Sequence, residues 1–276
     1  MDSRNAKRIP KPRSGHSMTS VREFLVVYGG FTNLSNMVYN ELWTYNTLRC
    51  IWKRYRIPLE VKNICLSSSI CASGNTVYMF GGTGFPFSVR MTNSLISFNV
   101  VTGTWEILSP YIDDNDQNTP SPMYGCFIFY YNQCIYAIGG TQGYEYFDTI
   151  HKFCLKTSRW SLVAQNGPKP PPDYRIFGAV FNNKFYSFGG SLLTGTKRFS
   201  EARIFDLSTN KWIITPLSPK TQQYPNDRIQ ESFTFSDGCG YMSGGSLGEK
   251  NYSDIWRIDL RTLEWFLLDY VCEFYK

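Results

Sequence analysis

Short apolar runs ending on paired glycines set the rhythm of this chain: FLVVYGG (24–30), VYMFGG (77–82), IYAIGG (135–140), FYSFGG (185–190) and GYMSGG (240–245). Short runs rich in aromatic and β-branched side chains, bounded by turn residues, read as strands rather than helices. Another run precedes the glycine-terminated one across a polar break, as GCFIFYY (125–131) precedes Asn132-Gln133 and CIYAIGG (134–140). Two more follow the glycines, for example FDTIHKFCL (147–155) and RWSLVA (159–164), joined at Lys156-Thr157-Ser158. The pattern predicts units of four antiparallel strands.

A tryptophan stands 20 to 23 residues after each glycine pair: Trp52, Trp105, Trp160, Trp212 and Trp265. Seven residues before each lies a large apolar side chain: Tyr45, Phe98, Phe153, Phe205 and Ile258. The intervening segments are YNTLRCIW, FNVVTGTW, FCLKTSRW, FDLSTNKW and IDLRTLEW, with threonine three before tryptophan in four of the five. A self-similar period of about 50 residues signals a propeller or a solenoid. One four-stranded blade alone leaves apolar faces and edges uncovered, so blades must stack. The tryptophans are expected between neighbouring sheets. Gly29, Gly30, Gly81, Gly82, Gly139, Gly140, Gly189, Gly190, Gly244 and Gly245 are expected where the backbone leaves a strand tightly, at positive φ or without room for a side chain.

The stretch VYMFGGTGFPF (77–87) also invites a phosphate-loop reading. That reading fails on its own terms. The G-x-G-x-x-G fingerprint ends on Phe87, no Lys-Ser or Lys-Thr follows, and SVRMTNSLISFNV continues as strand rather than as a capped helix.

The five-fold glycine–tryptophan repeat resembles the kelch motif, over residues 13 to about 270. The resemblance implies an all-β kelch β-propeller, five recognisable four-stranded blades of a six-blade ring, at approximately 13–60, 61–115, 120–168, 172–222 and 226–270. Residues 1–12 are expected as a disordered basic arm, and 13–276 as the propeller. The segments FGGTGFPF, GGTQGYEYFDTIHK, RSGHSM, ELWTYN and SDIWRIDLRTLEW are further similar to the kelch substrate receptors of cullin-2 ubiquitin ligases. Such receptors capture the extreme C-termini of substrates with basic residues on loops leading into the blades. They also carry a helical segment beyond the propeller that binds the elongin B–elongin C adaptor. This chain ends at LLDYVCEFYK after its fifth repeat, so the expectation is an open ring without that adaptor-binding tail, in a fragment, a truncated form or a reduced paralogue.

Composition agrees with the pattern: 20 Phe, 19 Tyr and 7 Trp accompany 22 Gly, as suits β structure with many turns. No run of about 18 apolar residues suggests a membrane span, and the start MDSRNAKRIPKPRSGH lacks an apolar signal core. The eight cysteines contain no C-x-x-C pair, and most sit within apolar runs as reduced core cysteines. Cytoplasmic or nuclear localisation follows. The net charge of +6 is not gathered into a dense basic block, which argues against nucleic acid and for an anionic protein partner.

Catalysis finds little footing. Only His16 and His151 are present. Glu145, Asp148 and His151 look like a metal trio, but on a strand their three-residue spacing sends Asp148 to the opposite face. His151 is therefore expected as a packed or loop-bonding residue. The chain is read as a non-enzyme with no cofactor and no metal.

Strand direction selects a working surface. In an antiparallel blade the loop leading into the first strand and the loop after the glycines open on one face. The leading loops bring Arg13, His16, Asn63, Tyr124, Arg175 and Arg228, and the later loops bring Phe31, Phe85, Phe87, Tyr144 and Tyr146. Arg13, His16, Phe85, Phe87, Tyr144, Tyr146, Arg175 and Arg228 form the candidate peptide-binding set, with the arginines suited to a carboxylate and the rings to stacking. The structural alternative is that the leading-loop arginines bridge the loops of adjacent blades. The relatives' pattern would place arginine also in the second and third repeats, where Asn63 and Pro122 stand. Two functions remain: a substrate-binding module of a ubiquitin ligase, with elongin B–elongin C and cullin-2 as partners only if an adaptor segment is present, or a general cytoskeletal or signalling scaffold.

Overall fold

The computed structural model describes residues 9–113, 116–190, 198–220 and 223–268; the first eight residues of the expected arm and residues 269–276 lie outside them. The chain forms two compact units, Met1–Val163 and Ala164–Lys276. Three blades make up the first and two the second.

Blade 1 comprises Ser14–Val21, Phe24–Thr32, Glu41–Asn46 and Ile51–Arg56 in that spatial order, with Met37–Val38 paired beside the second strand. Blade 2 comprises Ser69–Ser73, Thr76–Phe80, Leu95–Asn99 and Thr104–Ser109. Blade 3 comprises Phe127–Tyr131, Cys134–Ile138, Ile150–Cys154 and Arg159–Leu162. Blade 4 comprises Ile176–Phe181, Lys184–Gly189, Glu201–Asp206 and Lys211–Pro216. Blade 5 comprises Ser232–Ser236, Cys239–Ser243, Ile255–Asp259 and Glu264–Leu268. Ser218–Pro219, leaving blade 4, pairs in parallel with the outer strand of blade 5 and covers part of its edge. The protein is all-β, in the propeller architecture that the repeats predict.

Strand register explains the seven-residue spacing. In each blade the tryptophan lies directly opposite the earlier apolar residue across the outer hairpin: Tyr45↔Trp52, Phe98↔Trp105, Phe153↔Trp160, Phe205↔Trp212 and Ile258↔Trp265. Two of these rings then reach the preceding blade of the same unit. Trp160 lies 5.3 Å from Phe80 of blade 2, and its indole donates to the Ser109 hydroxyl at 3.0 Å. Trp265 lies 6.1 Å from Phe188 of blade 4. The cores follow this interleaving. Leu42, Val77, Met79 and Phe98 share one buried cluster, Phe80, Ile128, Ile135 and Phe153 a second, and Tyr186, Ile204, Met242, Ile258 and Trp265 a third.

In blades 1 and 2 the glycine pair lies where the blade meets the chain entering the next. All ten paired glycines have positive φ, from +62° at Gly139 to +119° at Gly82. Gly82 donates its N–H to the Met123 carbonyl at 2.8 Å, and a Cβ on Gly29 would fall inside the Cys65 carbonyl oxygen. Gly74 offers a control, because it has φ +60° but faces open space. Gly74→Ala should cost only the left-handed strain of about 1–2 kcal/mol. Gly29→Ala should cost clearly more, because backbone must move. Urea midpoints of the two variants compare these directly; equal losses would refute a steric role for Gly29.

Candidate functional site

The leading segments and the post-glycine segments lie side by side, as the strand directions require. Ser14 pairs with Phe31, Leu66 with Thr83, Tyr124 with Thr141 and Ile229 with Ser246. The corresponding loop of blade 4, residues 191–197, lies outside the described residues.

In the first unit these loops gather aromatic rings. Phe31 is nearly buried and carries Phe85 stacked on it at 5.9 Å and Phe87 edge-on at 5.6 Å. Phe87 also approaches Tyr124 at 6.3 Å, and the Tyr124 hydroxyl shares a 3.0 Å hydrogen bond with the Ser88 hydroxyl. A Cβ on Gly143 would meet Ser88, so the loop of blade 3 closes on the same cluster. Phe85 and Phe87 are 38% and 40% exposed, beside exposed Val89 and Arg90. The next loop carries Tyr144, fully exposed, and Tyr146, half-buried and bridged to Thr141. Three blades thus supply one half-exposed aromatic face.

The arginines behave differently. Arg13 donates to Glu41 at 2.7 Å, to the Gly29 carbonyl at 3.0 Å and to the Lys11 carbonyl at 3.0 Å, with its guanidinium 4.3 Å from the Tyr39 ring centre. Arg228 repeats every contact. It donates to Asp254 at 2.5 Å, to the Gly244 carbonyl at 3.1 Å and to the Asn226 carbonyl at 3.0 Å, and lies 4.0 Å over Tyr252. Trp43 and Trp256 complete the two sets by donating to Glu41 and Asp254, each at 2.8 Å. These bonds shift the carboxylates. The Arg228 fork, against some burial, holds Asp254 below the usual carboxylate range. Burial would raise Glu41, but the bonds from Trp43 and Arg13 outweigh it and hold it low. Both guanidinium groups are therefore committed, and within their own blades rather than between adjacent ones. The signal was present in the sequence as Y-x-[DE]-x-W, at 39–43 and 252–256.

Arg175 is not the counterpart of these two. By pairing, Arg13 corresponds to Cys65, Met123, Asp173 and Arg228, whereas Arg175 corresponds to Gly15, Ser67, Gly125 and Gln230, two residues later. All five residues of this second set have positive φ, between +54° and +65°. Arg175 is exposed, with its guanidinium 5.4 Å from the Tyr174 ring centre. His16 is exposed on the first strand, opposite Gly29.

His151 is buried on the third strand of blade 3, with Nε2 3.2 Å from the Gln117 carbonyl. Burial lowers its pKa. Among the described residues no group of three His, Cys, Asp or Glu side chains converges to hold a metal, and no helix is long and apolar enough to cross a membrane.

Residues 3–115 and 67–271 match the family described as KLHDC2/KLHL20/DRC7 Kelch-repeats domain. The chain is 28% identical over 275 residues to Kelch domain-containing protein 10 of Homo sapiens, covering 95% of this chain and 61% of that protein. It is 26% identical over 276 residues to the Xenopus tropicalis protein of that name, covering 95% and 66%. Similarity extends to the Leucine-zipper-like transcriptional regulator 1 homolog of Drosophila melanogaster, 26% over 196 residues, or 69% of this chain and 20% of that one. The chain spans 61% of the length of the first of these relatives. A family match running through five glycine–tryptophan blades places it: the chain belongs to the kelch-repeat β-propeller family.

Proposed function

We propose that this chain recognises a peptide segment of a protein partner on the aromatic loop face of its first unit, in the manner of the substrate-recognition propeller of a cullin-2 ubiquitin ligase receptor. A kelch propeller is a protein-interaction module. The observation that carries the finer reading is the pair Phe85 and Phe87, half-exposed yet held by Phe31 and Tyr124. Rigid rings on a preformed support lose little freedom on binding and serve as anchors. Exposed Arg90 adds positive charge beside them. Arg175, on the second unit, is proposed separately as a carboxylate contact, since Arg13 and Arg228 already hold Glu41 and Asp254. Elongin B–elongin C and cullin-2 enter only for a polypeptide that carries the helical adaptor segment, in the cytoplasm or the nucleus. The committed arginines favour a second reading, a general kelch scaffold without a ligase role.

A library of C-terminal peptides, each as free acid and as amide, separates these readings. Phe87→Ala and Phe85→Ala should each weaken the best peptide by about tenfold or more, as loss of an anchor of about 1.4 kcal/mol or more does. Arg175→Ala should weaken only the free acids. If amidation changes nothing, the scaffold reading stands and terminal capture fails. If neither phenylalanine variant weakens any peptide, the aromatic face is not the reading surface.

A further inference from the structure

The outer hairpins of the five blades turn on one device. In four of them an Asn or Asp ending the third strand accepts two backbone N–H groups from the turn that follows. Asn46 accepts from Leu48 and Arg49, Asn99 from Val101 and Thr102, Asp206 from Ser208 and Thr209, and Asp259 from Arg261 and Thr262. The position is built to hold an oxygen acceptor, charged in two of the four. Blade 3 places Cys154 there. Its sulfur accepts from the Thr157 hydroxyl and from the N–H groups of Thr157 and Lys156, the same two turn positions as in the other blades.

A second cysteine faces it. Cys134 on the neighbouring strand is the register partner of Cys154. Leu155 donates its N–H to the Gln133 carbonyl at 3.0 Å, so the 133/155 pair is the hydrogen-bonded one and 134/154 is the non-hydrogen-bonded one. In that pairing the Cα atoms approach to about 4.5 Å and the side chains are at their closest, within the Cα separations of about 4.4–6.8 Å that a disulfide spans. The equivalent pair is Asp206 with Lys184 in blade 4 and Asp259 with Cys239 in blade 5. Both sulfurs of blade 3 are partly exposed, whereas Cys65 and Cys126 are buried.

We propose that Cys134 and Cys154 form a peroxide-reactive dithiol, a modification site in which Cys154 attacks and Cys134 resolves. The turn donors stabilise the Cys154 thiolate as the N–H groups of Ser208 and Thr209 stabilise the carboxylate of Asp206. The Thr157 hydroxyl, then the two N–H groups, bring Cys154 down to about 7, while partial burial and the adjacent Cys154 push Cys134 up, leaving it the S–H donor. By contrast, burial pushes Cys65 and Cys126 up to about 12. In the first step the Cys154 thiolate attacks a hydrogen peroxide oxygen. The O–O bond breaks, hydroxide leaves and takes a proton to become water, and Cys154 becomes a sulfenic acid. In the second, the Cys134 sulfur attacks that sulfenic sulfur, an S–S bond forms, the S–O bond breaks, and the Cys134 proton leaves with the hydroxyl as water. Overall two thiols and one peroxide give one disulfide and two waters. A thiol pair reverses it by exchange.

The test uses the full, reduced chain with hydrogen peroxide and iodoacetamide as probes. Peroxide should remove two hydrogens from the chain and yield a cross-linked peptide pair containing Cys134 and Cys154, cleared by dithiothreitol. Alkylation of Cys154 should rise with pH to a half-maximum near 7, below that of an ordinary thiol at about 8.5. In Cys134→Ser, peroxide should leave Cys154 as a dimedone-trappable sulfenic acid that goes on to the sulfinic acid. Cys154→Asn installs the cap used by blades 1 and 2 and so keeps the fold; in it Cys134 should remain a thiol. A parent protein that takes Cys154 to the sulfinic acid without cross-linking, or a Cys154 alkylation midpoint at 8.5 or above, would overturn the proposal.

Discussion

Asp254→Ala should destabilise the second unit by about 3–5 kcal/mol, because it strands a buried guanidinium. Arg228 is fully buried, and Asp254 takes both terminal nitrogens of its fork, at 2.5 and 3.0 Å. Without the carboxylate, Arg228 retains two carbonyl bonds and the Tyr252 ring, none of which cancels its charge. Arg228→Met should cost less, because the carboxylate it leaves behind is 26% exposed and can hydrate. The contrast can be read from urea midpoints at pH 7. The pH dependence has a defined sign. The folded pKa of Asp254 lies below its unfolded value, so its contribution is complete above the ordinary carboxylate pKa of about 3.9 and is lost as pH falls through the folded value. Acidification should therefore erase part of the difference between the parent and Asp254→Ala. A difference that grows on acidification would show that the pair is not the stabilising element.

Trp265→Ala should cost a further large amount, about 3–5 kcal/mol. Its side chain is wholly buried, with Phe199 at 5.9 Å, Phe188 at 6.1 Å and Trp256 at 6.5 Å around the ring. The indole N–H also donates to the Phe199 carbonyl at 2.9 Å, and that buried acceptor would lose its partner. Trp52→Ala removes the same repeat residue from blade 1, where the ring is half-buried and touches Trp43 and Tyr45. Its loss should be clearly smaller. Thermal or urea unfolding of the two variants decides the matter, and equal losses would mean that burial does not rank these tryptophans.

The blades were legible in the sequence because hydrophobic patterning and turn chemistry act locally. Gly-Gly marks a strand end at positive φ, and a tryptophan seven residues after an apolar partner marks a hairpin register. The loop face was legible too, since strand direction alone places Phe31, Phe85 and Phe87 beside the leading segments. Three features were not. Arg175 resembles Arg13 by residue type and by lying in a leading loop, yet its backbone occupies the position of Gly15, and a left-handed residue at a strand start leaves no single-letter signature. The ion pairs were hidden because Glu41 and Asp254 lie 28 and 26 residues beyond their arginines. Only a comparison of Y-x-[DE]-x-W between the first and fifth repeats would have exposed them. The Cys134–Cys154 pair was missed for the opposite reason. Read one by one, cysteines in apolar strands look like core, and only the register shows two of them face to face.

The left-handed residues that open each first strand have a consequence for how this scaffold can be diversified. Ser67 donates its amide to the Gly15 carbonyl at 2.9 Å, and Gly125 donates to the Ser67 carbonyl at 3.0 Å, so at these positions the leading segments of neighbouring blades in the first unit are laced through their peptide groups. The side chains take no part in that lacing, and the five positions accordingly hold Gly, Ser, Gly, Arg and Gln. Arg175 and Gln230, both exposed, are sockets whose fitting can be exchanged within the left-handed strain that a non-glycine residue already bears there, whereas a Cβ on Gly15 would fall 2.5 Å from the buried Leu66 side chain. A designer who wished to change what the second unit greets, while leaving its carpentry alone, would vary these two letters first.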